Sequence, residues 1–475
     1  MKNSFFADLL PVLSERSRLA SICRLGFANI PLRRHLTELF SRAYGENGNF
    51  LADPAFEAVF GWQAGTASMA QLCETEQLLH PDVVNAMDSP PEDLASEYRF
   101  SKQLKPYTHQ VAAWRILRQQ PPQSVVVSSG TGSGKTECFM VPVLDHLALL
   151  RVQENKQLVG VRALFLYPLN ALINSQRERL RAWIHAFDGD LRFCLYNGNT
   201  PETLPIRTKK QHTCEVQDRK TLRATPPPIL VTNPTMLEYM LIRTEDQPII
   251  AQSQGKLEWV VLDEAHTYIG SQAAEAALLI RRVLLAFGMQ PEQVHFIATS
   301  ATIGDPHGQA GKDLKKFLAD IAGVSDEQVH LVAGTRQIPE IGSKKRNKKP
   351  IKNLAELEDI EPEQEVSTTR YRALAGNKIA RDIRTLFTNG SKGSLVARLS
   401  SVCQIIHPDK KDFTPEQQGE ALRWLDLLSG TKKEGKHNKE DVSDSFLPLR
   451  GHLFHQTLSG IWACADPSCA DKQGT

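Results

Sequence analysis

Ser129-Gly130-Thr131-Gly132-Ser133-Gly134-Lys135-Thr136 follows the β-branched run Val125-Val126-Val127 and opens an apolar helical stretch. Glycines at this spacing let the backbone curl until its N–H groups converge, and the helix that follows adds its positive N-terminal end. The result is a cradle for phosphate oxygens. Lys135 stands where it reaches the outer phosphates of a triphosphate, and the Thr136 hydroxyl where it ligates magnesium. Ser129 holds the place where the general pattern has its first glycine, a small-for-small departure.

Outward from this loop, short β-rich runs alternate with amphipathic stretches from about Phe100 to Ala333. The further runs are Ala163–Tyr167, Phe193–Leu195, Ile229–Val231, Trp259–Leu262 and His295–Ala298. Continuous apolar strands separated by helices predict a parallel sheet covered on both faces, an α/β fold of the RecA-like P-loop kind. Every chemical motif follows directly on one of these strands, at the carboxyl edge where open α/β sheets bind ligands. After Trp259–Leu262 comes Asp263-Glu264-Ala265-His266. A carboxylate at Asp263 suits the magnesium shell, Glu264 suits a general base on the attacking water, and His266 is placed to bridge towards Ser300-Ala301-Thr302. Ser300 and Thr302 are the expected coupling residues of that last segment.

The 475 residues divide on this reading into a helical N-terminal region (1–99), the ATP-binding α/β domain (100–335), a charged linker (336–370) and a helical C-terminal region (371–475). Composition excludes little: 41% hydrophobic residues suit a globular core, and a net charge of +2 assigns no nucleic-acid partner by itself. No apolar run spans a membrane and the start has no signal-peptide pattern, so a cytoplasmic, non-membrane location is expected. Eight cysteines in this length are too sparse for a disulfide scaffold. Cys464 and Cys469 would supply half of a tetrahedral zinc site, with His452 and His455 as candidate ligands that nothing in the spacing fixes nearby.

Taken in order, the motifs resemble the superfamily 2 helicases of the DEAD/DEAH-box type, from about Leu104 to Thr302. The resemblance implies ATP and magnesium as cofactors. It implies adenine recognition by Gln110 in Pro106-Tyr107-Thr108-His109-Gln110, and single-strand contacts by three loops. These are Tyr167-Pro168-Leu169-Asn170, with Pro168 and Asn170; Asn197-Gly198-Asn199-Thr200, with Gly198 and Asn199; and Thr232-Asn233-Pro234. Amides and hydroxyls on such loops suit binding to a sugar-phosphate backbone without sequence preference.

Asp263-Glu264-Ala265-His266-Thr267-Tyr268-Ile269-Gly270-Ser271-Gln272-Ala273-Ala274-Glu275 is similar to the MrfA/YprA-like DNA helicases. That likeness implies a partner in single-stranded or partly duplex DNA, zinc in a longer parent protein, and companion proteins of defence or DNA-modification systems of the DISARM and Dpd type. Such motors carry a second RecA-like domain that brings arginines to the γ-phosphate. No second strand–helix series or arginine-glycine motif follows Thr302, and Arg281-Arg282 lie on the helix after the acidic motif. The chain is therefore expected to be an N-terminal fragment that binds ATP and hydrolyses it poorly, since arginine fingers contribute several orders of magnitude. Two alternatives stand beside the DNA motor: an RNA helicase, and a non-catalytic ATP-gated DNA-binding subunit.

Overall fold

The computed structural model describes residues 5–24, 30–46, 49, 51–130, 132–209, 211–268, 270–300, 308–341, 354–358, 367–388, 395–432 and 445–455. Their strands are, in chain order, β1 (Ala55–Ala58), β2 (Ser124–Ser128), β3 (Ala163–Leu166), β4 (Phe193–Tyr196), β5 (Ile229–Thr232), β6 (Trp259–Leu262), β7 (His295–Ser300), β8 (Val329–Ala333), β9 (Val396–Arg398) and β10 (Leu449–His452). The chain forms two compact units, residues 62–336 and residues 1–61 with 337–475.

The first unit holds a seven-stranded sheet of order β4-β5-β3-β6-β7-β2-β8. Every neighbouring pair is parallel. Side chains alternate across a pleat, so each strand feeds two cores. Val125, Val127, Phe165, Tyr167, Val231, Val261 and Ile297 join one core, with Phe139, Leu144 and Leu147 of the helix Lys135–Glu154. Val126, Leu164, Leu166, Leu230, Val260, Leu262 and Phe296 join the other, under Leu279, Ile280 and Val283 of the helix Ser271–Phe287. Burial on both faces is why these runs are apolar throughout rather than alternating. This is the RecA-like α/β architecture expected from the sequence.

Two boundaries fall elsewhere than the composition suggests. Residues 62–99 belong with the sheet unit: Leu72, Val83, Val84 and Met87 are part of its first core, and the Trp183 indole donates to Tyr98 O at 2.8 Å. The flanking regions are also not helical alone. In the second unit β1 lies between β10 and β9 in an antiparallel sheet, with Phe56 opposite Gly451 on one side and Ala397 on the other. Strands of three or four residues are too short to register as a periodicity, and their partners lie hundreds of residues away. Around them pack Leu374, Ile383, Val402, Leu422, Trp424 and Leu425 from the surrounding helices. Leu354 and Leu357, inside the expected charged linker, are buried in the same core.

At the amino end of the sheet, His295 stacks on Trp259 with ring centroids 4.1 Å apart, and its Nδ1 bonds Gln123 O at 2.9 Å. Beside it, Glu258 is joined to His146 and Arg162. Burial drives the His295 imidazole down to about 4. An unfolded histidine takes its proton near 6.5, so the unfolded chain binds more protons between pH 6.5 and 4, and stability falls as pH drops through that window. His295 alone should lower the unfolding free energy by about 2 kcal/mol between pH 7 and 4.5. Urea unfolding at the two pH values tests this, with His295→Gln expected to show a difference smaller by about that amount.

Candidate functional site

The loop after β2 is shaped by two glycines in the left-handed region, Gly132 at φ +72° and Gly134 at φ +70°. A β-carbon at Gly134 would crowd the side-chain ends of Gln110 and Glu137, and the left-handed backbone there favours glycine. The helix begins at the next residue, Lys135, with its free N–H groups facing the loop. Ser129 and Ser133 join hydroxyls at 2.5 Å, and Ser129 N donates to Ser300 O at 3.3 Å. Serine in place of the first glycine thus braces the loop from inside.

Lys135 Nζ donates to Ser129 O at 3.0 Å and reaches Gly130 O at 3.5 Å. Burial lowers its pKa, against the attraction of Glu264 and Asp263. The ammonium is thus held by weak carbonyl acceptors in a place where an anion would serve it better. A cleft of about 490 Å³ opens beside it, bounded by Tyr107, Gln110, Gly132, Lys135, Thr136 and Arg179.

Gln110 is buried and its amide is already engaged. Oε1 accepts from Tyr107 N at 2.8 Å, and Nε2 donates to Gly134 O at 3.1 Å. One N–H and one lone pair remain for another partner. Its neighbour His109, which the motif reading passed over, packs between Tyr107 and Trp62 and meets Ser133 O through Nε2 at 2.8 Å. Burial lowers its pKa and keeps it neutral. The loop is therefore tied from the Gln110 side by two adjacent residues.

Asp263 and Glu264 leave β6 side by side. Burial raises the Asp263 pKa, opposed by the hydroxyl of Thr299, which donates to Oδ1. The same hydroxyl accepts from Glu264 N at 3.1 Å. Thr299 is fully buried. Glu264 adopts φ +52°, a strained turn for a residue with a side chain, held by this bond. His266 Nδ1 lies 3.3 Å from Glu264 Oε2 and is largely exposed. Among the described residues the acidic motif is linked to β7 by Thr299, and residues 301 and 302 of the segment that His266 is expected to meet lie outside them. A threonine beside Ser300 on an apolar strand was the available signal. Ser300 is buried and lends its carbonyl to the loop. Thr131 and Thr302 lie outside the described residues.

The three other loops leave β3, β4 and β5, neighbours in the sheet. Pro168 and Pro234 are half-buried, and Leu169 is exposed beside Asn170. Asn233 Nδ2 donates to Asn170 Oδ1 at 2.8 Å, while Asn233 Oδ1 caps the next helix through Met236 N. Gly198 and Asn199 are exposed, on a turn set by Asn197 Oδ1 and the Thr200 hydroxyl. Thr232 differs from expectation: it is wholly buried and its hydroxyl donates to Tyr196 O at 2.6 Å. It holds two loops together from beneath rather than facing outward. Arg219 does similar work, donating to Thr200 O at 2.9 Å.

Residues 107–308 match the profile of the DEAD/DEAH box helicase family. They form a DEAD/DEAH box helicase domain. The matched span runs from the Gln110 segment to just past Thr302, and so takes in each loop above. The chain is similar to the Druantia protein DruE of Escherichia coli, 26% identical over 78% of this chain and 26% of that protein. It is also similar to the ATP-dependent helicase YprA of Bacillus subtilis, 30% identical over 48% of this chain and 27% of that one. Among solved structures it is similar to the helicase MrfA bound to DNA, at 24% identity and TM-score 0.40, covering 58% of this chain and 32% of that one. The chain spans about a quarter of the length of the two curated relatives.

Outside the helicase domain, Cys464 and Cys469 lie beyond the described residues. His452 is placed 3.1 Å from Glu57 on the neighbouring strand, and no cluster of metal-ligating side chains occurs among the described residues. No described helix is long and apolar enough to cross a membrane.

Proposed function

We propose that residues 62–336 act as the first motor domain of an ATP-dependent helicase or translocase that works on DNA. The observation that carries the reading is a shared sheet edge. Lys135, Asp263, Glu264 and Thr299 lie at the carboxyl ends of β2, β6 and β7, and the amide-bearing loops after β3, β4 and β5 continue the same edge. Nucleotide on one half and strand on the other are joined by strands that move as one sheet.

The residues fit magnesium: Asp263 is a buried carboxylate on a hydroxyl donor, Thr136 borders the cleft, and Lys135 supplies a cation to the phosphates. Thr136 and Asp263 would hold the ion, which neutralises charge on the phosphates when bound. Lys135 exchanges its loop carbonyls for phosphate oxygens. Gln110 turns its remaining amide groups to the adenine edge. Glu264 orients the attacking water and takes its proton, with Thr299 fixing the backbone that carries it. Exposed Asn170, Gly198 and Asn199 contact the strand through backbone groups and amides, which suits a motor indifferent to sequence.

The test is ATP turnover with no strand, with oligothymidylate and with oligouridylate. The DNA oligomer is expected to stimulate more than the RNA one. Glu264→Gln should lower turnover by about a hundredfold or more while ATP binds within a few-fold of normal. Measurable turnover that neither oligomer changes would sink the motor reading, and equal stimulation by both oligomers would favour an RNA helicase.

A further inference from the structure

The row of side chains at the carboxyl edge contains one donor that the mechanism above does not use. Leu166 pairs with Leu262, and Leu262 with Ala298. One residue further along, Tyr167, Asp263 and Thr299 therefore stand abreast on one face of the sheet. The backbone confirms the alignment: Asp263 N donates to Leu166 O at 3.0 Å, and Tyr167 N to Thr232 O at 3.0 Å. The Thr299 hydroxyl meets Asp263 within this row.

Tyr167 is wholly buried, yet its hydroxyl has no hydrogen-bond partner among the described residues. A phenylalanine would fill the same space without stranding a polar group, and a buried unpaired hydroxyl is a standing cost to the fold. Burial lifts the phenol well above its ordinary range. Asp263 and then Glu264 act in the same direction, and Arg179 against them. It remains a donor, on the sheet face that it shares with Asp263 and Thr299. Glu137 Oε2, near Gly134, is likewise buried without a partner. The next residue after Tyr167 starts the loop Pro168–Asn170, with Leu169 63% exposed.

We propose that Tyr167 is a positioning residue that donates its phenolic hydrogen to an oxygen of the bound magnesium–triphosphate, and so couples nucleotide binding to the strand-facing loop that begins at Pro168. This rests on the nucleotide reading of the same site. One side chain reports on the phosphates while its own backbone leads into the loop, so each ligand changes the affinity of the other by the same factor.

Tyr167→Phe removes only the oxygen, and its melting temperature should not fall. Binding of a fluorescent ATP analogue to the full chain, with magnesium and with chelator, reads the contact without requiring turnover. The variant should bind the magnesium form about tenfold more weakly and the metal-free form within twofold of the parent. The effect of saturating magnesium–nucleotide on oligothymidylate affinity should shrink by a similar factor. Unchanged binding of the magnesium form, or an equal loss with and without magnesium, overturns the proposal while leaving the nucleotide site standing. A parent chain that binds no nucleotide overturns both.

Discussion

Lys135→Ala is expected to weaken magnesium–ATP binding by about two orders of magnitude or more without unfolding the chain. Removing one partner of a desolvated charged contact costs about 2–5 kcal/mol, and each 1.4 kcal/mol is about tenfold. Among the described residues Nζ hydrogen-bonds the carbonyls of Ser129 and Gly130, and burial already disfavours its charge. Its loss therefore takes little from the resting fold. Calorimetric titration measures the affinity, and a thermal melt separates the two effects. The variant's melting temperature without ligand should match the parent's within a few degrees. The upward shift that saturating ligand gives the parent should vanish. A variant that still shows the shift would mean that the loop does not hold the phosphates through this lysine.

The second large effect is on stability. Asp246 is wholly buried and holds Arg223 Nε at 2.8 Å and the Tyr196 hydroxyl at 2.6 Å. Burial, and then this carboxylate, push the Tyr196 phenol up to about 12. Asp246→Ala would leave the Tyr196 phenol facing a void at the edge strand β4 and Arg223 with Glu202 as its remaining carboxylate. Breaking such a pair costs about 3–5 kcal/mol, on the order of 10 °C in melting temperature for a unit of this size. Tyr196→Phe alone should cost far less, because Arg223 still satisfies the carboxylate. If the two variants melt alike, the ion pair contributes nothing to stability. Tyr196 directly precedes the Asn197–Thr200 turn, so the damaged variant should also bind single strands poorly.

Much of this was legible in the chain itself, for a definite reason. Val125–Val127, Phe165 and Trp259–Leu262 are buried on both faces, and strands of that kind announce themselves as unbroken apolar runs. Loops that bind phosphate need glycine at fixed places, and Gly132 and Gly134 do adopt the left-handed backbone that the spacing implies. What escaped were relations across the sheet. Thr299 meets Asp263 through a strand register that only the folded chain defines, and Thr232 looks like a loop hydroxyl until its neighbour β4 is seen to claim it. The union of residues 1–61 with 337–475 was hidden in the same way, because β1 finds its partners β9 and β10 far along the chain.

That union makes the helicase unit an insertion. Trp62 and Arg336 face each other in an antiparallel bridge, the Arg336 guanidinium lies 3.5 Å from the Trp62 ring centroid, and Gln63 N donates to Thr335 O at 2.9 Å. The unit thus enters and leaves through one two-stranded neck. On the ribosome, β1 emerges early and must wait while the whole nucleotide-binding sheet is made, because β9 and β10 come last. The inserted unit has its complete sequence in hand and can fold during that interval. The enclosing unit, whose pairings close the longest loops in the chain, can only follow.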